Sequence, residues 1–235
     1  MGRIADFIRS LMFYLVFYSG TVLVVIASAV ALLGSDERFR STVDLWARWH
    51  RFCMRHILGQ TVRLEGEMPT GPVFVAIKHE SYFEAIDLAR LLHRPGVFAK
   101  AELMRIPVWG MVGNRYGLVE VQREQGAKAL RHMMAAAKKI SAEGRPLVIF
   151  PEGTRIAAGE APGLQAGFAG IYKLLGLPVV AIAVDSGRLY KPWLKRPGVI
   201  TYRIVDVVPP GLPRDEAEER VRLAINAFNQ VKGQE

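Results

Sequence analysis

Residues 11–33, LMFYLVFYSGTVLVVIASAVALL, run uncharged and mainly apolar without a break. Wound as a helix, such a run reaches about 35 Å, enough to cross the hydrocarbon core of a bilayer. Arg3 and Arg9 precede it, and Asp36, Glu37, Arg38 and Arg40 follow it. A secretory signal would share the basic flank, the apolar run and the small triplet Ala27-Ser28-Ala29, but this run is about twice as long as such a segment needs. The next stretch, ERFRSTVDLWARWHRFCMRHILG, places Phe39, Val43, Trp46, Phe52 and Ile57 at near-helical spacing, with Arg38, Arg48, Arg51 and Arg55 among them. Tryptophans beside arginines on an amphipathic helix suit the headgroup layer of a membrane. The pattern predicts a two-helix membrane-docking hairpin over residues 1–58, turning at GSDE and either spanning the bilayer or lying in one leaflet.

From residue 61 the period changes. Short β-branched runs at 72–77, 96–99, 117–121, 146–150, 178–184 and 199–208 alternate with helical stretches, clearest at 124–144 and 213–231. Several runs are apolar throughout, as strands buried on both faces are. In the last helical stretch Val221, Ala224, Ile225 and Phe228 fall on one face. The expectation is an α/β domain over residues 59–235, with a mainly parallel or mixed central sheet flanked by helices. Ligands in such sheets collect at the carboxyl ends of the strands.

Charge adds a partner class. Lys and Arg number 31 against 22 Asp and Glu, a formal net charge of +9. That excess points to an anion: nucleic acid, an anionic membrane surface or a phosphorylated substrate. The basic residues are scattered and match no nucleic-acid-binding motif, so nucleic acid is not expected. The single cysteine, Cys53, excludes an internal disulfide and a thiolate zinc site, and its apolar neighbours fit a packed thiol.

Three strand ends carry candidate chemistry. FVAI gives out at Lys78 and His79, and SYFE then reads as a capping box with Ser81 as N-cap and Glu84 at the third helical position. Residues five apart within one helix lie about 140° round from each other and cannot touch. With His79 before the cap, the chain can fold back and bring the Glu84 carboxylate to the imidazole. A carboxylate on one ring nitrogen fixes the tautomer and raises the basicity of the other, which can then take a proton from an alcohol. The alternatives are that Glu84 only caps its helix, or that Asp87 orients His79. No second histidine stands at zinc-ligand spacing. The second strand end is IFPEGTR, where Gly153 permits a tight turn next to Glu152, Thr154 and the Arg155 guanidinium, an arrangement that suits a phosphate. In the third, residues 98–124, Lys100, Arg105, Arg115 and Arg123 bring cations beside the apolar Pro107, Val108, Trp109 and Met111.

Together these stretches resemble the glycerolipid acyltransferases, specifically the bacterial 1-acylglycerol-3-phosphate (lysophosphatidic acid) acyltransferases. The family's histidine, four residues and aspartate appear as His79 to Glu84, with glutamate in place of aspartate. Its F-P-E-G-T-R motif stands complete at Phe150–Arg155, its K-x-E-L element at Lys100–Leu103, its strand-end arginine at Arg123, and its proline-containing apolar motif at 177–184. The resemblance implies transfer of a fatty acyl group from acyl-CoA or acyl-ACP to the free hydroxyl of lysophosphatidic acid, giving phosphatidic acid. His79 would be the general base and Glu84 its orienting carboxylate. Glu152, Gly153, Thr154 and Arg155 would bind the acceptor, Lys100 and Arg123 would complete the phosphate pocket, and backbone amides near Glu152–Thr154 are candidate oxyanion donors. No metal or redox cofactor is implied; acyl-CoA or acyl carrier protein enters as co-substrate. The catalytic domain is expected on the cytosolic face of the membrane. The competing expectations are another lysolipid acceptor, such as lyso-ornithine lipid, and a non-catalytic protein that binds anionic lipid.

Overall fold

A computed structural model of the protein describes residues 2–106, 109–121 and 126–229. Two antiparallel helices, α1 (Gly2–Ala31) and α2 (Asp36–Cys53), lead through a π-turn at Met54–Leu58 into β1 (Gln60–Glu65). Then follow β2 (Phe74–Ile77), α3 (Tyr82–Leu91), β3 (Gly96–Lys100), α4 (Ala101–Met104), α5 (Trp109–Tyr116) and β4 (Leu118–Val121). The chain continues through α6 (Gly126–Ala142), β5 (Leu147–Ile149), α7 (Gly167–Leu175), β6 (Val179–Val184), β7 (Gly198–Val208) and α8 (Arg214–Ile225).

The seven strands order as β1-β7-β6-β2-β5-β3-β4. β6 and β7 pair antiparallel, and every other neighbouring pair is parallel. The sheet is therefore mixed, and β2, β3, β4, β5 and β6 end at one common edge. β1 was absent from the expected strands. It lies at the sheet's margin with alternate residues in water, and Arg63 and Glu65 interrupt any apolar run.

β2 explains the layering. All four of its residues are buried. Phe74 and Ala76 join the core under α6, α7 and α8, whereas Val75 and Ile77 join the core under α1, α2 and α3. Strand alternation alone sends them to opposite faces. Phe13, Phe17, Cys53, Met54 and Leu58 belong to the same core as Val75 and Ile77, so packing is continuous across residue 58.

The hairpin lies along the α/β body. Gly20 brings α1 against Trp49, where a Cβ would fall 2.2 Å from the indole nitrogen. Trp46 Nε1 donates to Thr21 Oγ1, Trp49 Nε1 to the Phe17 carbonyl, and Ser28 Oγ bonds Thr42 Oγ1. At one end of α1 the Lys195 N–H donates to Ser10 Oγ and Lys195 Nζ to the Tyr14 hydroxyl. At the other, Arg115 of α5 donates to the carbonyls of Leu32 and Gly34 and to Asp36. α2 buries Phe39, Ala47, His50 and Cys53, while Phe52 turns outward and stacks on Trp49. Phe228 likewise leaves the expected face: α8 has ended, and the ring lies under the Arg203 guanidinium.

Candidate active site

The β2–α3 corner is built by competing demands on one carboxylate. Ser81 has extended backbone and caps α3, and Glu84 answers as the reciprocal half of the capping box. Glu84 is fully buried, and its Oε2 accepts the Ser81 N–H at 2.9 Å. The same Oε2 lies 3.1 Å from His79 Nδ1. An ionised carboxylate only accepts, so Nδ1 carries the proton and Nε2 keeps its lone pair. Glu84 thus caps its helix and meets the histidine at once. Asp87 does not take that place: it is buried against Arg51, which grips both of its oxygens at 2.6 and 2.8 Å.

His79 is held on three further sides. Its ring stacks on Phe150 with centroids 4.1 Å apart, its carbonyl accepts the Ile156 N–H at 2.8 Å, and its own N–H donates to Glu152 Oε2 at 3.3 Å. The imidazole keeps 15% of its side-chain surface, reachable from outside yet fixed from within.

After His79, the residues Glu80, Ser81 and Tyr82 line a cleft of about 1200 Å³, whose lining does not include His79 itself. Ser81, Tyr82, Thr154 and Arg155 line its inner end, and the Arg155 guanidinium sits 3.7 Å over the Tyr82 ring. Tyr14 and Tyr18 of α1 form an apolar wall, and Arg188, Lys191, Lys195 and Arg196 add cations along the segment joining β6 to β7. The cleft therefore offers positive charge over aromatic surface, bordered by the apolar helix.

Not every expected residue faces it. Glu152 is turned inward: its side chain is fully covered and its Oε1 binds Lys78 Nζ at 2.6 Å. Burial raises its carboxyl from the ordinary range, while Lys78 and the His79 N–H pull it back. Its carboxylate is spent on the framework and does not reach the cleft. Gly153 makes the turn, with φ of 68°, and its N–H donates to the Phe150 carbonyl at 2.9 Å, which removes that amide from the candidate oxyanion donors. Lys100 is exposed at the carboxyl end of β3. It shares the edge with His79 but is separated from β2 by β5, roughly 10 Å across the sheet, and lies outside the cleft lining. Arg123, Pro107 and Val108 fall outside the described residues. Arg115 clamps the hairpin, and Trp109 packs edge-on to Trp46.

Two buried groups were not among the expected site residues. Lys78 ends β2 with no exposed surface and donates to Glu152, to Asn226 Oδ1 at 2.7 Å and to the Glu160 carbonyl at 2.9 Å. Lys195, also buried, lies near the rings of Phe13, Tyr14 and Tyr190, and burial pushes its ammonium down to about 8. The abrupt charge after FVAI was the only hint of Lys78. Cys53 is buried, its thiol pushed up to about 11 by burial alone, and stays protonated.

A 1-acyl-sn-glycerol-3-phosphate acyltransferase of Pseudomonas aeruginosa is 29% identical over 202 residues, covering 82% of this chain and 77% of that protein. A lyso-ornithine lipid O-acyltransferase of Rhizobium meliloti is 31% identical over 108 residues, 45% of this chain and 36% of that one. The crystal structure of the 1-acyl-sn-glycerophosphate acyltransferase PlsC from Thermotoga maritima shares the fold, with a TM-score of 0.71 at 21% identity over 100% of this chain and 99% of that chain. The family model described as Acyltransferase matches residues 60–185, which hold the β2–α3 corner, the Phe150–Arg155 turn and β6. The chain belongs to the acyltransferase family.

Proposed function

We propose that the protein transfers a fatty acyl group from a thioester, acyl-CoA or acyl-ACP, to the free hydroxyl of 1-acyl-sn-glycerol-3-phosphate, giving phosphatidic acid. The observation that carries the reading is His79 Nδ1 at 3.1 Å from the buried Glu84 carboxylate, next to a cleft where Arg155 lies over Tyr82. His79 Nε2 takes the proton of the acceptor hydroxyl as its oxygen attacks the thioester carbonyl. The carbon–sulfur bond of the tetrahedral adduct then breaks, and the imidazolium returns the proton to the leaving thiolate. A thioester is already activated, so positioning and a base supply most of what the protein must add. Arg155 and Thr154 bind the acceptor phosphate, with Lys100 as a further cation at the same sheet edge. A rigid, lined-up base is what binary collisions lack.

The relative named lyso-ornithine lipid O-acyltransferase supports a second acceptor, a lysolipid without the phosphate. Purified protein given lysophosphatidic acid and lyso-ornithine lipid in parallel, each with a panel of thioesters, separates the two by mass of the product. Phosphatidic acid is expected. Acylation of the ornithine lipid alone overturns the acceptor, and release of no thiol with either overturns the reaction.

We place α1 in the plane of one membrane leaflet, not across it. Ile4, Ile8, Leu11, Leu15, Tyr18, Val22 and Ile26 form one exposed stripe along its outer side. It is bonded to the same α/β body at two places, at Ser10 and Tyr14 through Lys195 and just past its last turn through Arg115. Trp193, exposed at 86% and flanked by Lys191 and Arg196, lies in the segment that grips α1 and suits the headgroup layer. The lipid acceptor then enters the cleft from the bilayer past Tyr14 and Tyr18. A thioester made in the cytosol puts the α/β body on that face.

A further inference from the structure

Ser186 begins the 3₁₀ turn that follows β6 and has no exposed surface. Its hydroxyl touches Glu84 Oε1 and lies 2.8 Å from Ser81 Oγ. We infer that Ser186 is a positioning residue for the acyl transfer, holding the Glu84 carboxylate in the rotamer that presents Oε2 to His79. The inference rests on the reading of His79 and Glu84 as a base and its orienter.

The proton count supports it. Glu84 Oε2 accepts two N–H groups, from Ser81 at 2.9 Å and from His79 Nδ1 at 3.1 Å. Ser81 Oγ accepts the Phe83 N–H at 3.2 Å and keeps one O–H to give. Its distance to Ser186 Oγ is 2.8 Å and to Glu84 Oε1 3.3 Å, so the proton goes to Ser186. Ser186 is then left with one O–H, and Glu84 Oε1 is the acceptor that remains. Each donor in the group finds an acceptor, as a buried polar cluster requires.

Geometry makes the second oxygen matter. The Ser81 N–H fixes where Oε2 lies, but one bonded oxygen leaves the carboxylate free to swing about its last torsion, which is broad for glutamate. Glutamate also has one more rotatable bond than the aspartate that the motif otherwise carries. A donor on Oε1, arriving from a residue 102 positions away, stops that swing. The next residue repeats the fastening: the Gly187 N–H donates to Glu80 Oε2 at 2.9 Å, so one turn secures both Glu80 and Glu84, the acidic residues that follow His79. A Cβ on Gly187 would come within 3.0 Å of Glu80 Cβ, which shows how closely turn and corner pack.

The test is a double-mutant cycle on the purified full chain, with kcat and KM read from thiol release. Ser186→Ala should lower kcat by about 10- to 100-fold, a share of the 10²–10⁴ that a base contributes, with KM for both substrates within about twofold. In a Glu84→Gln background the same change should cost less than about twofold, because a residue that acts through Glu84 has nothing left to act on. Ser186→Cys, which keeps the volume and replaces a good donor by a poor one, is run beside it and decides the matter where alanine lowers the melting temperature. Equal losses in both backgrounds would mean that Ser186 acts through the fold, and an undiminished kcat in the single variants would mean that it does not act; either overturns the inference alone. A Glu84→Gln enzyme at full rate instead removes the dyad, and Ser186 with it.

Discussion

At the residue scale, the chemistry depends on where two protons can go. The buried Glu84 carboxylate meets His79 at Nδ1, which leaves Nε2 as the ring nitrogen proposed to act as the base. His79→Ala removes that atom while leaving Arg155 and Tyr82 in place. Turnover should fall 10²- to 10⁴-fold with KM little changed, measured by thiol release at saturating acceptor. Wild-type turnover in that variant would remove the base. Arg155 is proposed to do a different job: exposed, with its guanidinium carbon 3.7 Å from the centre of the Tyr82 ring, it would meet the anion. Hydrogen bonds to charged groups contribute about 1.5–3 kcal/mol, so Arg155→Ala should raise KM for a phosphorylated acceptor roughly tenfold or more with a smaller change in kcat. An unaltered KM would take Arg155 out of the phosphate pocket.

At the scale of elements, the site sits where β2 ends, and a buried ion pair ties that end to two others. Lys78 joins β2 to the Phe150–Arg155 turn through Glu152 and to the end of α8 through Asn226. Lys78→Met strands the Glu152 carboxylate in the interior and should cost about 3–5 kcal/mol in denaturant titration, whereas the joint change Lys78→Met, Glu152→Leu should recover part of it. Equal stabilities for the single and joint variants would argue against the pair as the lock. The corner itself was legible in the chain, because strand period, capping box and histidine fall in consecutive positions and their geometry is local. So was the sheet, whose interior strands are apolar on both faces. β1 escaped because an edge strand has water on one side and charges in its run. Glu152 was misplaced for another reason: a motif fixes which turn a residue occupies, but the direction of its side chain was set by Lys78, 74 positions earlier. Ser186 and Lys195 meet their partners across 102 and 181 positions, and no spacing along the chain announces such meetings.

At the scale of the whole molecule, the question is how an apolar helix long enough to cross a bilayer is used by a protein that holds it at two places about 20 residues apart. Lys195 grips α1 at Ser10 and Tyr14 from a buried position that holds its ammonium down at about 8 against an ordinary 10.5. Between those values the unfolded chain binds the proton that the folded one has released, so stability rises with pH across about 8 to 10.5 and is level below 8. Lys195→Met should lack that rise, and two parallel curves of unfolding free energy against pH would sink the assignment. The grip at Ser10 and the grip of Arg115 on Leu32 and Gly34 are separated by about 20 residues of helix, some 30 Å, the thickness of a hydrocarbon core. A crossing helix would put one of those contacts on each side of the membrane, yet both partners belong to one sheet-centred body. The proposed placement therefore runs the helix along the surface with its exposed stripe in lipid, while Tyr14 and Tyr18 line the cleft. Single cysteines at Gly2 and Glu37 test this in sealed vesicles, because Cys53 is buried with a thiol pushed up to about 11 and stays silent to a membrane-impermeant reagent. Both positions should label from the same side as the α/β body; labelling from opposite sides would require α1 to cross, and would break either the Lys195 or the Arg115 contact.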